Sequence, residues 1–232
     1  MCTNYTPSAR HEIAALRLGV IGLPTGSWPD EVYPGYAAPI VVRNTDGSGA
    51  NCVLARFGLI PRWCRDQTQA STVARGTYNA RSETVASKPS FRDPWRERQW
   101  ALAPMQAFFE PCWENAKELH GGRAVRWRIG RADGAPFAVA GLWERWTHPD
   151  SGVVDMTFTL LTVNADGHAV LGRMHRPDEE KRMPAIVPAH AYASWLNACP
   201  ETASSLLLLM LAEDLSAAPA PRVTESPNLS LF

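Results

Sequence analysis

The chain has 232 residues, 45% of them apolar and 20% charged, which is enough for a sizeable core and too apolar for a disordered chain. Lys plus Arg balances Asp plus Glu at 23 each, which excludes both a histone-like polycation and an acidic tail protein. The longest apolar run, residues 206–212, falls far short of the ~18 to 20 residues of a membrane span.

The balanced charge is not evenly spread. Residues 56–98 hold nine basic and four acidic side chains, whereas residues 199–232 hold one basic and four acidic ones. The cations are mostly guanidinium, 20 Arg to 3 Lys, which suits bidentate phosphate contacts, although a codon bias toward Arg gives the same count. The five cysteines are odd in number and contain no C-x-x-C pair. A reducing cytoplasmic setting is therefore expected, without a metal site. The first residues have neither a basic nor a long apolar stretch, so no secretory signal is expected. Neither a Walker loop nor a G-x-G-x-x-G loop occurs, and no cofactor is implied.

In chain order, residues 8–18 read as a short helix ending at Gly19. Residues 24–39, with four prolines, read as a loop. Residues 39–43 and 52–58 read as strands around the turn Asn44-Thr45-Asp46-Gly47-Ser48-Gly49. Residues 124–130 alternate, with Val125, Trp127 and Ile129 on one side and Arg126 and Arg128 on the other. The Asp133-Gly134 turn leads into a strand at 137–143, and 155–163 is another, rich in Thr, Phe and Val. Residues 188–198 and 201–211 read as two late helices, the apolar run 206–212 forming one buried face. The whole reads as α+β: one domain over residues 1–232, with a curved, mostly antiparallel, barrel-like sheet and flanking helices. Nine tryptophans should be mostly core.

Cys2 carries the most chemistry, although a Cys at position 2 taken alone also reads as an ordinary small residue. If Met1 is removed, it holds a free α-amine beside a thiol. That amine has a pKa near ~7.7 to 8.0, against ~10.4 for lysine, so a usable share is nucleophilic near neutral pH. A 1,2-aminothiol condenses with an aldehyde to a Schiff base, and the sulfur then closes a thiazolidine ring.

Three segments offer partners. In Tyr78-Asn79-Ala80-Arg81-Ser82-Glu83-Thr84, Asn79 can bond a sugar or a carbonyl and Arg81 can clamp a phosphate; alternatively the segment is a loop capping a helix. Glu110 follows Phe108-Phe109 and is either a general acid and base in an apolar pocket or half of a structural ion pair with an Arg. His175 precedes Arg182-Met183-Pro184 and is either suited to proton transfer near neutral pH or an ordinary loop histidine.

These segments together resemble the SRAP family (SOS-response-associated peptidase, the abasic-site-processing proteins). The pattern is Cys after Met, W/F-G-L-I-P-x-W, N-A-R-x-E-T, P-x-x-x-F/Y-Y/F-E, A-G-L-W-E, and His before R-M-P. Here it reads Cys2, Phe57-Gly58-Leu59-Ile60-Pro61-Arg62-Trp63, residues 79–84, residues 104–110, Ala140-Gly141-Leu142-Trp143-Glu144, and His175 with Arg182-Met183-Pro184. The resemblance implies covalent capture of abasic sites in single-stranded DNA by a monomeric protein through a thiazolidine on Cys2, and self-cleavage that exposes it. By motif, Asn79 would orient the sugar or the terminus, Glu110 would shuttle protons, and His175 would assist ring opening and reversal. Arg81 would hold a phosphate, and Trp63, Arg62, Arg65 and Pro39 would line the strand-binding surface, with core packing the alternative for Trp63.

The sequence departs from the pattern at Thr3-Asn4 in place of Gly-Arg, at Tyr36-Ala37-Ala38-Pro39, which lacks an Asn, and at Ala107 and Pro111. Six residues, 176–181, also separate His175 from Arg182 where one is usual. Two other functions remain open on residues alone. One is an N-terminal-nucleophile amidohydrolase and the other a non-catalytic single-strand binder.

Overall fold

The computed structural model describes residues 2–44, 47, 49–116 and 120–222. The residues 39–43 and 52–58 expected as strands form an antiparallel pair, β2 (Ala37–Arg43) and β3 (Ala50–Phe57), with Val41 opposite Cys52. Thr45, Asp46 and Ser48 of the turn expected between them lie outside the described residues. The alternating stretch becomes β6 (Val125–Arg131), and β7 (Phe137–Thr147) and β8 (Val154–Asn164) follow as expected.

The barrel is closed by a strand that periodicity does not reveal, β5 (Trp100–Cys112). Its first half pairs with both β2 and β7, so the order β7-β8-β3-β2-β5 returns to β7 and makes five strands into a ring. The joins are antiparallel except where β3 runs parallel to β8. Both faces of β5 are covered, so it is apolar almost throughout rather than alternating. Its second half leaves the ring and pairs with β6 on one side and β1 (Asn4–Pro7) on the other. On β8 lie β4 (Asn79–Arg81), which is parallel to it, and β9 (Arg182–Pro184). β10 (Ile186–Val187) extends β7, and β11 (Leu215–Pro219) extends β6.

Phe57 sits in a buried aromatic cluster, with ring centroids 5.6 Å from Tyr5, 5.8 Å from Tyr78 and 5.1 Å from Phe158. Each such ring contributes ~1.5 to 3 kcal/mol on burial. Gly58 follows at φ +116°, where a Cβ would lie 2.8 Å from the Ala74 carbonyl oxygen, so this corner needs glycine.

The helices are short: α1 (Arg10–Ala15), α2 (Gln67–Ala74), α3 (Arg92–Arg96), α4 (Tyr192–Leu196) and α5 (Pro200–Ala203). α2 starts at Asp66, whose carboxylate accepts from the Gln69 amide at 2.7 Å. Trp195 of α4 packs on Trp100 of β5, and their indoles donate to the carbonyls of Ala101 and Ala198. Among the tryptophans, 95, 100, 146 and 195 are core, and the others are partly or more exposed.

The second late helix needs correction. It ends at Ala203, followed by one tight turn, and Leu208, Leu209 and Leu211 are exposed rather than forming a buried face. A helix through this run would be apolar on every side and need burial all round. The fold buries Leu207 and partly covers Leu206 and Met210, while the His168 imidazole donates to the Met210 carbonyl at 2.9 Å. No helix among the described residues is long and apolar enough to cross a membrane.

Candidate active site

β1 delivers the start of the chain. Its pairing of Asn4 with Phe109 brings Cys2 alongside the end of β5. Cys2 is 0% exposed, and its thiol donates to the Asn4 carbonyl at 3.4 Å. β4 delivers Asn79, whose Nδ2 donates to the Cys2 carbonyl oxygen at 2.7 Å although 77 residues separate them. The segment 78–84 is thus a strand leading into a turn, not a loop that caps a helix.

Glu110, opposite Trp127 on β5, is 1% exposed. Its Oε2 lies 2.9 Å from His175 Nε2, so its partner is an imidazole rather than one of the many guanidiniums. His175 reaches it through a left-handed turn at φ +59°, fixed by its amide donating to the Pro111 carbonyl at 2.8 Å. Four of the residues singled out in the sequence therefore meet here, Cys2 bound to Asn79 and Glu110 bound to His175.

The electrostatics tie the two pairs together. Burial raises the Cys2 thiol well above its ordinary range, and the Glu110 charge pushes it the same way. The Tyr78 hydroxyl is raised by burial and then by the charges of Cys2 and Glu110. Among the described residues, Asn79 Oδ1 and the Tyr5 hydroxyl are buried with no hydrogen-bond partner. A cavity of about 660 Å³ is walled by Trp113, Ala116, Arg176 and Asp178, the last two from the segment that follows His175.

The residues expected at the strand-binding surface divide. Arg81, two residues along β4 from Asn79, is half exposed and pairs with Glu180 at 2.9 Å. Trp63 is 39% exposed, its indole N–H donating to the Pro89 carbonyl, so it is not a core residue. Arg65 is exposed. Arg62 is occupied within the protein: its guanidinium is shared by Glu144, which is buried, and Glu97, at 2.7 to 3.1 Å. Pro39 is buried inside β2 opposite Leu54 and offers no surface to a strand.

Sequence reasoning gave no role to two charged motif residues that the structure joins. Arg182 is 2% exposed and forks onto Glu83 at 3.0 and 2.9 Å, with the Thr162 carbonyl at 2.6 Å. This pair ties the turn after β4 to β9. The signal was a charge embedded in each of two motifs, without an indication that they meet. Among the described residues no group of three or more His, Cys, Asp or Glu side chains could hold a metal ion.

The family profile described as SOS response associated peptidase (SRAP) matches residues 1–226. The chain belongs to the SRAP family. It is 32% identical over 206 residues to the abasic site processing protein YoaM of Bacillus subtilis strain 168, covering 85% of this chain and 82% of that one. It is 26% identical over 204 residues to the abasic site processing protein HMCES of Gallus gallus, covering 80% of this chain and 57% of that one. Among solved structures, a Bordetella bronchiseptica protein superposes with a TM-score of 0.83 at 30% identity, covering 95% of this chain and all of that one. A Bacteroides thetaiotaomicron protein superposes with a TM-score of 0.79 at 25% identity, covering 94% and 91%.

Two departures from the SRAP pattern acquire a structural setting. Asn4, in place of Arg, donates to the Tyr33 hydroxyl at 3.3 Å. The longer segment between His175 and Arg182 carries Glu180 onto Arg81.

Proposed function

We propose that this SRAP protein processes abasic sites in single-stranded DNA by covalent capture, forming a thiazolidine between Cys2 and the sugar aldehyde. The observation that carries this reading is the 2.7 Å bond from Asn79 to the Cys2 carbonyl beside the Glu110–His175 pair. It holds the chain's start next to a buried acid and an imidazole, the groups an amine–aldehyde condensation needs.

Capture requires that Met1 be removed. The abasic sugar is mostly a closed hemiacetal, and His175 assists its opening. The Cys2 α-amine adds to the aldehyde carbon C1′ and gives a carbinolamine. The Glu110 carboxyl protonates the hydroxyl, water leaves, and an iminium forms. The Cys2 S–H then passes its proton to the Glu110 carboxylate while sulfur bonds to C1′. The ring nitrogen keeps one hydrogen, Glu110 regains its proton, and one water is released overall. The raised thiol fits this order, since sulfur stays protonated until ring closure. Arg81 holds a flanking phosphate, and Trp63 and Arg65 supply a stacking surface and a cation at the groove edge.

The test is an abasic oligonucleotide resolved on a denaturing gel beside an intact one. A denaturation-resistant band with the abasic strand alone, lost in Cys2→Ala, is expected. Intact mass should show Met1 absent. Crosslinking by Cys2→Ala, or by protein that retains Met1, overturns the mechanism.

A further inference from the structure

Glu180 lies in the six-residue segment between His175 and Arg182. Its carboxylate stands between two guanidiniums of different standing. Oε1 accepts from Arg182 Nη1 at 2.8 Å and from Asn164 Nδ2 at 3.1 Å, while Oε2 meets Arg81 Nη2 at 2.9 Å. Arg182 is buried and has other partners in Glu83 and Thr162, so its charge is compensated without Glu180. Arg81 is 53% exposed, and Glu180 is its one ion pair among the described residues. Asn79 and Arg81 are two apart on β4, so their side chains leave the same face of the strand. The contact on Arg81 is therefore made on the side where Asn79 holds Cys2.

We propose that Glu180 is a built-in competitor for DNA phosphate on Arg81 and thereby sets selectivity for abasic over intact strands. A carboxylate on a guanidinium makes the contact a phosphate oxygen would make. An incoming strand has to displace it, and Glu180 then keeps Arg182 and Asn164 as partners rather than being left without any. An intact strand, held only by such contacts, is weakened in full. A captured abasic strand is retained by its covalent bond whatever happens at Arg81. The inference rests on the proposed function in taking single-stranded DNA as the ligand and Arg81 as a phosphate contact.

The test measures non-covalent binding of an intact, fluorescently labelled oligonucleotide by anisotropy at low salt, which requires no crosslink and so is independent of the Cys2 chemistry. Glu180→Gln keeps an amide oxygen for Arg182 and Asn164. It is expected to tighten binding by about 2- to 5-fold, the range an exposed ion pair allows, and the gain should shrink as salt is raised. In an Arg81→Ala background the same change should have no effect. Glu179→Gln removes an equal charge one residue away and should give the smaller, general field effect. A gain that persists without Arg81, or that Glu179→Gln matches, overturns the proposal. So does weaker binding by Glu180→Gln, which would make Glu180 a support for Arg81. If Glu180→Gln lowers the melting temperature, Glu180→Asp, with its carboxylate withdrawn by one methylene, is measured in the same way and should tighten binding in part.

Discussion

Replacing Asn79 by Ala removes the donor that the Cys2 carbonyl oxygen accepts at 2.7 Å. Cys2 is 0% exposed, so bulk water does not take the donor's place. A buried acceptor left unpaired costs about 1–3 kcal/mol. If that cost falls on holding the terminus in its reactive pose, capture slows by roughly 5- to 150-fold, at about 1.4 kcal/mol per factor of ten. If it falls on the fold, the melting temperature drops by roughly 2 to 12 °C for a chain of this size. Asn79→Asp preserves the volume but sets a carboxylate oxygen against a carbonyl oxygen, so it should be at least as slow. The assay is the single-turnover rate of the denaturation-resistant band at saturating abasic oligonucleotide, with protein lacking Met1. Affinity for intact strand should be unchanged, because the Asn79 bond is internal. Both variants reacting within about two-fold of the parent, with unchanged melting, would show that this bond positions nothing.

Glu110→Gln keeps the shape but cannot cycle a proton, and should slow capture by ~10²- to 10⁴-fold at unchanged strand affinity, read in the same gel assay. The folded state holds the Cys2 thiol proton where the unfolded chain releases it near pH 9. That contribution is complete below pH 9 and is lost as pH rises, so Cys2→Ser should show a shallower fall in melting temperature between pH 8 and about 10.5. Gly141→Ala would place a Cβ 2.5 Å from the Thr159 carbonyl oxygen in the barrel wall. It should cost ~1–3 kcal/mol or more, read as a loss in the melting temperature. Arg62→Ala strips buried Glu144 of its guanidinium. Calorimetry should show destabilisation with intact-strand affinity unchanged, whereas weakened binding alone would restore Arg62 as a DNA contact.

Legibility from sequence depended on how each residue is used. β6 could be read from alternation, although of Arg126 and Arg128 only the second is exposed, Arg126 being part-buried over the Phe109 ring. β5 could not: both its faces are covered, its apolar run has no period of two, and Pro104 interrupts it. β4 is three residues long, too short for any pattern. The residues that meet around Cys2 were legible because their chemistry is specific, and four come together. The surface residues were less so. A Trp-Arg motif reads alike whether its guanidinium meets DNA or, as with Arg62, two carboxylates of the same chain. The Glu83–Arg182 pair spans 99 residues and no local signal announces it. The leucines at 206–211 look like core by composition, yet the fold provides no second surface to cover most of them.

The burial of Cys2 has a practical corollary. β1 begins only two residues later and is paired with β5, so Cys2 is held in place from its C-terminal side. A purification handle fused ahead of the cysteine would occupy its α-amine, the group the proposed capture needs. Recombinant material for any of these assays should carry its handle beyond β11, and a front-tagged preparation that fails to react reports on the tag, not on the protein.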